Sequence, residues 1–385
     1  MVRMLVLAIA LVSLGEMLTL HWLLLVTGSD GLSWISGTGT LAAIAVSNVL
    51  VFPLVRGRLR AGGLAQWLSR SWVLVSVGAL LTGVALSPVF AIAWMTGSFP
   101  GTQEVARTLS LGLGGFAIAL GFGSVAWGSS VGDRRIRVDR VALRLRDASD
   151  QHRALRIAHV TDLHIGPLLQ ADRLRRFVER INRLEPDLIV ITGDLFDFDP
   201  AFVDDGCREL AGLEARLGVF AVTGNHDVYT GCDAVQAGLE LHGTVQLLRD
   251  AWAHIDVDGS PFAIAGIDDP GAGWTERESE HPVLERLASE IPQGLPTLLL
   301  SHRPSYFAHA ARLGFSLVLA GHTHGGQVAF PRAHHVNISR MISDHTRGIF
   351  ELDDATMYVN RGLGMAGLPL RLNCPREIAL IELTG

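Results

Sequence analysis

Five short polar signatures between residues 161 and 324 combine carboxylate, amide and imidazole side chains. In chain order they are Thr161-Asp162-Leu163-His164, Gly193-Asp194-Leu195-Phe196-Asp197, Gly224-Asn225-His226-Asp227, Ser301-His302 and Gly321-His322-Thr323-His324. Each signature follows a short apolar run of the kind that forms a buried strand. Open α/β sheets gather functional side chains where their strands end. These side chains are therefore predicted to meet at one site.

The side-chain types in this set are those that bind divalent first-row metals. Carboxylate and amide oxygens with imidazole nitrogens, and no thiolate, favour Mn, Fe, Zn or Co over a cysteine-bound zinc or an all-oxygen calcium site. The candidate ligands are Asp162, His164, Asp194, Asn225, His302, His322 and His324. This set is too large for one ion, whereas two ions that share a bridging carboxylate would use all of it.

The elements that must position these residues follow from the apolar pattern after residue 150, where short apolar runs alternate with amphipathic segments. The predicted strands are 155–161, 188–193, 219–223, 297–301 and 316–320, with a hairpin of 253–257 and 262–267 around Asp258-Gly259. The predicted helices are 171–185, 206–216, 232–242, 281–290 and 304–313. Gly193, Gly224 and Gly321 are expected to let the backbone turn sharply where strands end.

The order of the signatures resembles that of the calcineurin-like metallophosphoesterases, which is D-x-H, G-D-x-x-D, G-N-H-D/E, H and G-H-x-H. The resemblance covers about residues 155–385 and does not extend to the first 150 residues. Gly325-Gly326-Gln327 and Asn360-Arg361-Gly362-Leu363-Gly364 look like the membrane-associated bacterial branch of that family. The resemblance implies an α/β domain over 151–385, a two-sheet β-sandwich flanked by helices, that acts as a metal-dependent phosphoric ester hydrolase.

The resemblance also implies a role for each matched residue. One metal would be held by Asp162, His164 and His324, the second by Asn225, His302 and His322, and both by the bridging Asp194. His226 would face the scissile phosphate and stabilise or protonate the leaving oxygen, with Asp227 orienting its ring. Asp197 is expected to support its loop.

The chain before residue 130 contains four apolar stretches, at about 4–26, 34–55, 72–95 and 107–128. Each is near the ~20 residues that a helix needs to cross a bilayer core, so residues 1–130 are predicted to form a four-helix transmembrane region. A cleaved signal peptide is the alternative for the first stretch. Glu16 and His21 in this stretch are expected to make polar contacts between helices, the alternative being a proton or ion path.

Arginines set the predicted orientation, because positive residues near helix ends are retained in the cytoplasm. They are Arg3 before the first helix, Arg56, Arg58, Arg60 and Arg70 before the third, and Arg134, Arg135, Arg137, Arg140, Arg144 and Arg146 after the fourth. The connections 27–33 and 96–106 contain none. A multi-pass protein of the inner or plasma membrane with a cytoplasmic catalytic domain is therefore predicted. Residues 131–150 are predicted to be a basic linker against anionic headgroups, or an edge strand.

Composition excludes several function classes. The net charge of −6 provides no extended basic surface, so nucleic-acid binding is not expected. All 32 basic residues are arginine, which excludes Schiff-base and P-loop lysine chemistry. Cys207, Cys232 and Cys374 fit neither a disulfide framework nor a thiolate zinc site.

Several residues outside the ligand set also carry predictions. The histidines that match no signature, which are His159, His281, His334, His335 and His345, are expected in the core or on the surface. Arg303, beside a proposed ligand, is expected either to grip a phosphate oxygen or to lie on the surface at a helix N-terminus.

The substrate is expected to be a phosphate ester whose class the residues leave open. The apolar run 363–372, with Phe196, Phe198 and Phe202, is interpreted either as an entrance facing the bilayer or as core packing. An entrance would favour a phospholipid or a lipid-linked nucleotide, and a soluble phosphodiester is the alternative. A transporter with a regulatory phosphoesterase-like domain and an inactive binding module are the other two classes considered. The oligomeric state is not indicated.

Overall fold

The computed structural model of the chain describes residues 2–26, 38–55, 63–97, 99–146, 155–273, 275, 277–330 and 337–384. The chain divides into two compact units. The first comprises Met1–Gly132 and Gly367–Leu372, and the second comprises Asp133–Ala366 and Asn373–Gly385.

The described residues of the first unit form four apolar helices. They are α1 (Val2–Val26), α2 (Thr38–Val55), α3 (Gly63–Gly97) and α4 (Gln103–Trp127), the last continued by a π-helical turn, Gly128–Gly132. Within the described residues, Arg70–Ala93 and Gln103–Gly132 are long and apolar enough to cross a membrane, whereas Ile9–Leu24 and Gly39–Leu50 are shorter apolar helices. The crossing of a membrane by all four helices therefore stays a prediction. The connection predicted at 27–33 lies outside the described residues.

Close packing and a polar cluster join the helices of this unit. A β-carbon added to Gly83 would lie 2.4 Å from the α-carbon of Gly15, so α1 and α3 approach each other at two glycines. The Glu16 carboxylate accepts hydrogen bonds from Asn48 Nδ2 and Ser76 Oγ, each at 2.9 Å. Glu16 thus makes the polar contact between helices that the sequence predicted, while His21 packs its ring against Phe90 at 5.3 Å.

The described residues of the second unit form two six-stranded sheets. The first sheet has the order β1 (Ile136–Arg144), β12 (Arg376–Thr384), β2 (Leu155–Val160), β3 (Leu188–Thr192), β4 (Val219–Val222) and β5 (Val245–Leu247). The second has the order β10 (Gly348–Leu352), β11 (Ala355–Val359), β9 (Leu317–Ala320), β8 (Thr297–Leu300), β7 (Ser260–Gly266) and β6 (Ala251–Val257). The basic segment after the fourth helix therefore contains an edge strand.

The central strands of both sheets are parallel, which brings their carboxyl ends to one edge. In the first sheet β2, β3, β4 and β5 are parallel, and in the second β7, β8, β9 and β11 are. The register aligns the strand ends, since Val160 pairs with Ile191 and Ile191 pairs with Ala221. Residues that follow these strands are thereby placed side by side.

Three apolar layers hold this unit together. Alternate residues of a strand face opposite sides, so Leu188 and Val190 of β3 share one apolar cluster with Leu298 and Leu300 of β8 between the two sheets. The other face of the first sheet packs on helices α5 (Ala171–Asn182), α6 (Val203–Leu210) and α8 (Cys232–His242). The other face of the second sheet packs on α9 (Pro282–Glu290) and α10 (Phe307–Arg312). The prediction of two sheets flanked by helices is confirmed.

Element boundaries agree closely with the sequence prediction in most places. The five predicted strands occur within one residue of their predicted limits. The helix predicted at 206–216 occupies Val203–Leu210 and ends before Gly212, a residue that weakens helices. The helix predicted at 304–313 starts as a 3-10 turn, Pro304–Tyr306, before α10. The sequence did not predict the short helix α7 (Asn225–Thr230).

Candidate metal centre

The seven predicted ligands follow five strands drawn from both sheets. Asp162 follows β2, Asp194 follows β3 and Asn225 follows β4 in the first sheet, while His302 follows β8 and His322 follows β9 in the second. The residues of these strands are almost all fully buried. Rigid apolar strands thus carry the polar residues to one place.

Five of the seven predicted ligands have a left-handed backbone conformation. Their φ angles are 51° for Asp162, 49° for His164, 51° for Asp194, 72° for His322 and 51° for His324. A non-glycine residue in this region costs about 1–3 kcal/mol, and such residues concentrate at functional sites. The surrounding fold therefore maintains this geometry against local backbone preference.

One group of ligands surrounds a single point. One ligand atom from each of Asp162, His164, Asp194 and His324 lies within 4.8 Å of the others, and all four residues are buried. His164 Nε2 is 3.0 Å from His324 Nε2 and 3.4 Å from Asp194 Oδ2, and His324 Nε2 is 3.4 Å from Asp162 Oδ1. Two ring nitrogens and two carboxylate oxygens that converge in this way match the donor set of a first-row metal.

A second group meets the first at Asp194. His302 Nε2 lies 3.3 Å from Asp194 Oδ2, and His322 Nδ1 lies 3.1 Å from His302 Nε2. The side-chain oxygen of Asn225 is buried without a hydrogen-bond partner within the described part of the chain. A buried amide oxygen left in this state is costly. A cation at this position would satisfy it, so the residues fit a second metal.

Glycines beside the ligands allow close contacts that a larger side chain would prevent. Gly193 has a φ of 85° and makes the sharp turn that the sequence predicted. For the other two glycines the prediction gave the wrong reason. A β-carbon on Gly224 would lie 2.2 Å from Asp194 Oδ1, and one on Gly321 would lie 2.6 Å from Asp162 Oδ2. These two glycines allow close approach, and φ at Gly224 is an ordinary −113°.

The electrostatics of the site favour positive charge. Burial alone would lower the pKa of the His302 imidazole, but the carboxylates of Asp194 and Asp162 raise this pKa to about 10. Burial alone would raise the pKa of Asp194, yet the imidazoles around it hold this pKa well below its usual range. A field that stabilises an imidazolium ion this strongly would also stabilise a divalent cation in the same position.

His226 is oriented by Asp197, and the prediction that Asp227 orients its ring is wrong. His226 Nδ1 lies 3.0 Å from Asp197 Oδ1, and the His226 amide donates to Asp194 Oδ1 at 2.8 Å. Asp227 instead accepts hydrogen bonds from the backbone amides of Leu195, Phe196 and Gly224 at 2.8–3.1 Å. Burial, together with the neighbouring Asp194 carboxylate, raises the pKa of Asp227 to about 7.

Arg303 and the additional histidines have structural contacts. Arg303 is 2% exposed, so the prediction of a surface residue is wrong, and its guanidinium pairs with the buried Asp269 carboxylate. This pairing occupies the group that was predicted to grip phosphate. His159 is a core residue with Nε2 at 2.8 Å from Thr192 Oγ1, and burial lowers its pKa to about 3.

Of the other unmatched histidines, two make contacts inside the second unit and two lie outside the described residues. His281 Nε2 lies 3.0 Å from the Asp268 carbonyl oxygen, and the His345 ring packs on Phe350 at 4.7 Å. His334 and His335 lie outside the described residues.

The three phenylalanines predicted near an entrance have different positions. Phe196 is fully buried in the core, and Phe202 packs half-buried against the same core. Phe198 is 41% exposed, and its ring centroid lies 4.5 Å from that of His226. Tyr229, which the sequence analysis missed, stacks on Phe198. Tyr229 lies two residues after the signature Gly224-Asn225-His226-Asp227, and this proximity was the signal that could have identified it.

Comparison with known proteins identifies relatives of the second unit. A family model described as "Calcineurin-like phosphoesterase" matches residues 155–326. An "Uncharacterized metallophosphoesterase" of Aquifex aeolicus is 32% identical over 235 residues, which is 60% of this chain and 85% of that protein. A "Transmembrane protein with metallophosphoesterase domain" of Bos taurus is 32% identical over 240 residues, covering 60% of this chain and 53% of that protein. The match thus spans about half of the length of this curated relative.

A solved structure gives a more distant match. A dimetal phosphatase from Danio rerio aligns with 55% of this chain and 88% of that chain, at 14% sequence identity and a TM-score of 0.35.

Proposed function

The chain belongs to the calcineurin-like metallophosphoesterase family, and on this premise we propose that it is a membrane-anchored, dinuclear metal-dependent phosphoesterase. It hydrolyses a phosphomonoester, phosphodiester or pyrophosphate bond. The observation that carries the proposal is the position of one carboxylate between imidazoles from both sheets. Asp194 Oδ2 lies 3.4 Å from His164 Nε2 and 3.3 Å from His302 Nε2.

Each part of the ligand set has a place in this proposal. One ion would be held by Asp162, His164 and His324, the other by Asn225, His302 and His322, and Asp194 would contact both. When bound, two divalent ions polarise the phosphoryl group and make a nucleophile available at neutral pH. Mn, Fe, Zn and Co all suit this mixed oxygen and nitrogen donor set.

The remaining polar residues act on the leaving group or orient the residues around it. His226 supports the leaving oxygen and donates a proton to it as the ester bond breaks. Asp197 accepts the hydrogen bond from Nδ1 of this ring, which fixes its orientation and leaves Nε2 for the substrate. Asp227 acts on the loop and not on the ring, since its oxygens accept three backbone N–H groups.

Membrane attachment is the second part of the proposal. It is supported by two helices long enough to cross a bilayer and by the description of the Bos taurus relative as a transmembrane protein. The arginine distribution supports a multi-pass protein of the inner or plasma membrane whose catalytic domain is cytoplasmic.

The substrate is proposed to be a lipid phosphate or a lipid-linked nucleotide. One observation supports this choice over a soluble phosphodiester. The apolar segment Gly367–Leu372 groups with the helices of the first unit, although its neighbours in sequence belong to the second.

The proposal is tested by hydrolysis with full-length protein in detergent. Purified protein with Mn²⁺ is incubated with membrane lipid extracts, nucleotide diphosphate-lipids and soluble phosphodiesters, and products are identified by mass spectrometry. Asp194→Asn is the matched control, because it removes the shared carboxylate charge at almost unchanged volume. Release of a phosphate-containing product by the wild type alone is expected. Equal product from both proteins would contradict a site built around Asp194.

A further inference from the structure

A pair of exposed aromatic side chains lies next to the proposed metal centre. Phe198 is 41% exposed and Tyr229 is 42% exposed. Their rings are stacked, with centroids 5.6 Å apart and planes 6° from parallel. Aromatic rings contribute large apolar areas to binding when a ligand covers them. The pair therefore offers a flat apolar surface at the site.

His226 is in contact with both this pair and a proposed metal ligand. Its ring centroid lies 4.5 Å from Phe198 and 5.6 Å from Tyr229. The same ring lies 4.5 Å from His164. Because His226 is proposed to support the departing oxygen, the carbon group attached to that oxygen comes within reach of the aromatic pair.

The Tyr229 ring is held in place before any ligand arrives. The Tyr229 hydroxyl donates to the Gly271 carbonyl oxygen at 2.7 Å, and the Gly271 amide donates to Asp269 Oδ1 at 2.7 Å. Asp269 is in turn buried and paired with Arg303. Phe198 directly follows Asp197, which is hydrogen-bonded to His226. A surface ordered in advance costs a ligand little conformational entropy.

We infer that Phe198 and Tyr229 form a platform for the leaving group, and that the preferred substrates carry a flat ring there, either an aryl group or a nucleobase. This inference rests on the proposed phosphoesterase function. Stacking of a flat ring on an aromatic side chain raises affinity by roughly tenfold, and an alkyl chain makes no such stack. The platform therefore selects substrates by the group that leaves.

The platform can be tested by binding, independently of turnover. The metal-loaded full chain in detergent is titrated calorimetrically with 2-naphthylphosphonate and with methylphosphonate, which resist hydrolysis and differ in the ring. The wild type is expected to bind the naphthyl compound about tenfold more tightly. Equal affinities, or binding of neither compound, would overturn the inference.

Two variants of Phe198 distinguish stacking on the ring from a non-specific apolar contact. Phe198→Ala removes the ring, and Phe198→Leu keeps an apolar side chain that cannot stack. Both are expected to lose most of the preference for the naphthyl compound, while Leu241→Ala, which truncates a 74% exposed side chain on α8, keeps it. Full preference in Phe198→Leu would overturn the inference in favour of an alkyl chain. Elemental analysis verifies that each variant holds the same metal content.

The source of the ring is resolved by a second pair of ligands. The hydrolysis-resistant phosphonate analogues of AMP and of ribose 5-phosphate differ only in the base. A preference for the AMP analogue identifies a nucleobase, whereas a preference confined to the naphthyl pair identifies an aryl group on the ester oxygen. Ring preference without hydrolysis of any phosphoester would uphold the platform and refute the proposed function. Hydrolysis with no ring preference would refute the platform and uphold the proposed function.

Discussion

Asp194 is the residue on which the two-metal proposal depends most directly. Its carboxylate approaches imidazoles from both ligand groups, at 3.4 Å from His164 and 3.3 Å from His302. We expect Asp194→Asn to lower kcat by at least about 10²-fold. Removal of a residue that only supports a metal ligand lowers activity by about 10–100-fold, and Asp194 is proposed to be a ligand itself. Metal content measured by elemental analysis should fall in parallel. Full metal content with full turnover would contradict a shared carboxylate.

His226 is predicted to act on the leaving group without holding a metal. His226→Ala should keep the metal content and lower kcat by about 10²–10⁴-fold, the usual contribution of a general acid. The loss should be smaller for p-nitrophenyl phosphate than for an alkyl ester, because p-nitrophenolate leaves without protonation. Steady-state kinetics on both esters measure this difference.

A matched control for this variant is available. His254→Ala removes an exposed imidazole on β6 and should leave both rates unchanged. Equal losses for the two esters in His226→Ala would mean that His226 binds phosphoryl oxygens only.

Asp197 is expected to act through His226. Burial alone would raise the pKa of Asp197, but the neighbouring imidazoles of His164 and His226 lower this pKa to about 2. Asp197 is therefore a carboxylate at neutral pH. Asp197→Asn should lower kcat about 10–100-fold, as expected for a residue that orients a catalytic partner, with little change in KM.

A double-mutant cycle distinguishes this positioning role from a general loss of stability. In the His226→Ala background, Asp197→Asn should cause almost no further loss, because the ring that it orients is absent. An additive loss would show that Asp197 acts separately. Asp199→Asn is the control, since the side chain of Asp199 accepts from the Ala201 amide and is not part of the ligand set.

The roles of Asp197 and Asp227 show where prediction at single residues failed. The resemblance identified His226 and both aspartates, but it assigned the adjacent Asp227 to the ring. Asn225–Thr230 is a helix, and neighbouring residues of a helix point in different directions. Asp227 therefore turns back to backbone amides, while Asp197, from a different loop, reaches the ring. Sequence proximity is a poor guide to contact at the start of a helix.

At the scale of elements, the ends of the strands carry the site. Short apolar runs followed by polar residues were enough to predict β2, β3, β4, β8 and β9. Strands that pair with distant segments of the chain were harder to predict. β12, at the end of the chain, lies between β1 and β2, where Ile381 pairs with Ile157. Such pairing between distant segments leaves no local pattern in the sequence.

Gly321 tests whether tight packing at a strand end maintains the metal site. A β-carbon there would lie 2.0 Å from Thr161 Oγ1 and 2.6 Å from Asp162 Oδ2. We expect Gly321→Ala to reduce metal content and to lower the free energy of unfolding by about 1–3 kcal/mol, the usual cost of overpacking. Gly112→Ala is the control, because no atom of the described residues outside its own helix turn lies within 4 Å of a β-carbon added there. Thermal unfolding and elemental analysis measure the two effects, and an unchanged metal content in Gly321→Ala would contradict this role.

At the scale of the whole molecule, the first unit includes a segment from far along the chain. Gly367–Leu372 groups with the helices, and within that unit the Arg371 amide donates to the Gly128 carbonyl oxygen at 3.1 Å. Gly132 leaves no room for a side chain beside the Arg371 carbonyl oxygen. The apolar character of 363–372 was visible in the sequence, but its membership of the helical unit depends on contacts between residues more than two hundred positions apart.

The orientation of the catalytic domain is the final prediction, and it does not depend on whether two or four helices cross the membrane. Both numbers are even, so the segment before α3 and the segment after α4 lie on the same side. Arginines are concentrated in both segments, while residues 96–106, which include the connection between α3 and α4, contain none. This distribution favours a cytoplasmic domain. A cytoplasm-dependent fluorescent reporter fused after residue 384 should be active, and an export-dependent phosphatase reporter inserted at Gly101 should be active as well. The opposite pattern would place the catalytic domain outside the cytoplasm and its substrate in the other leaflet.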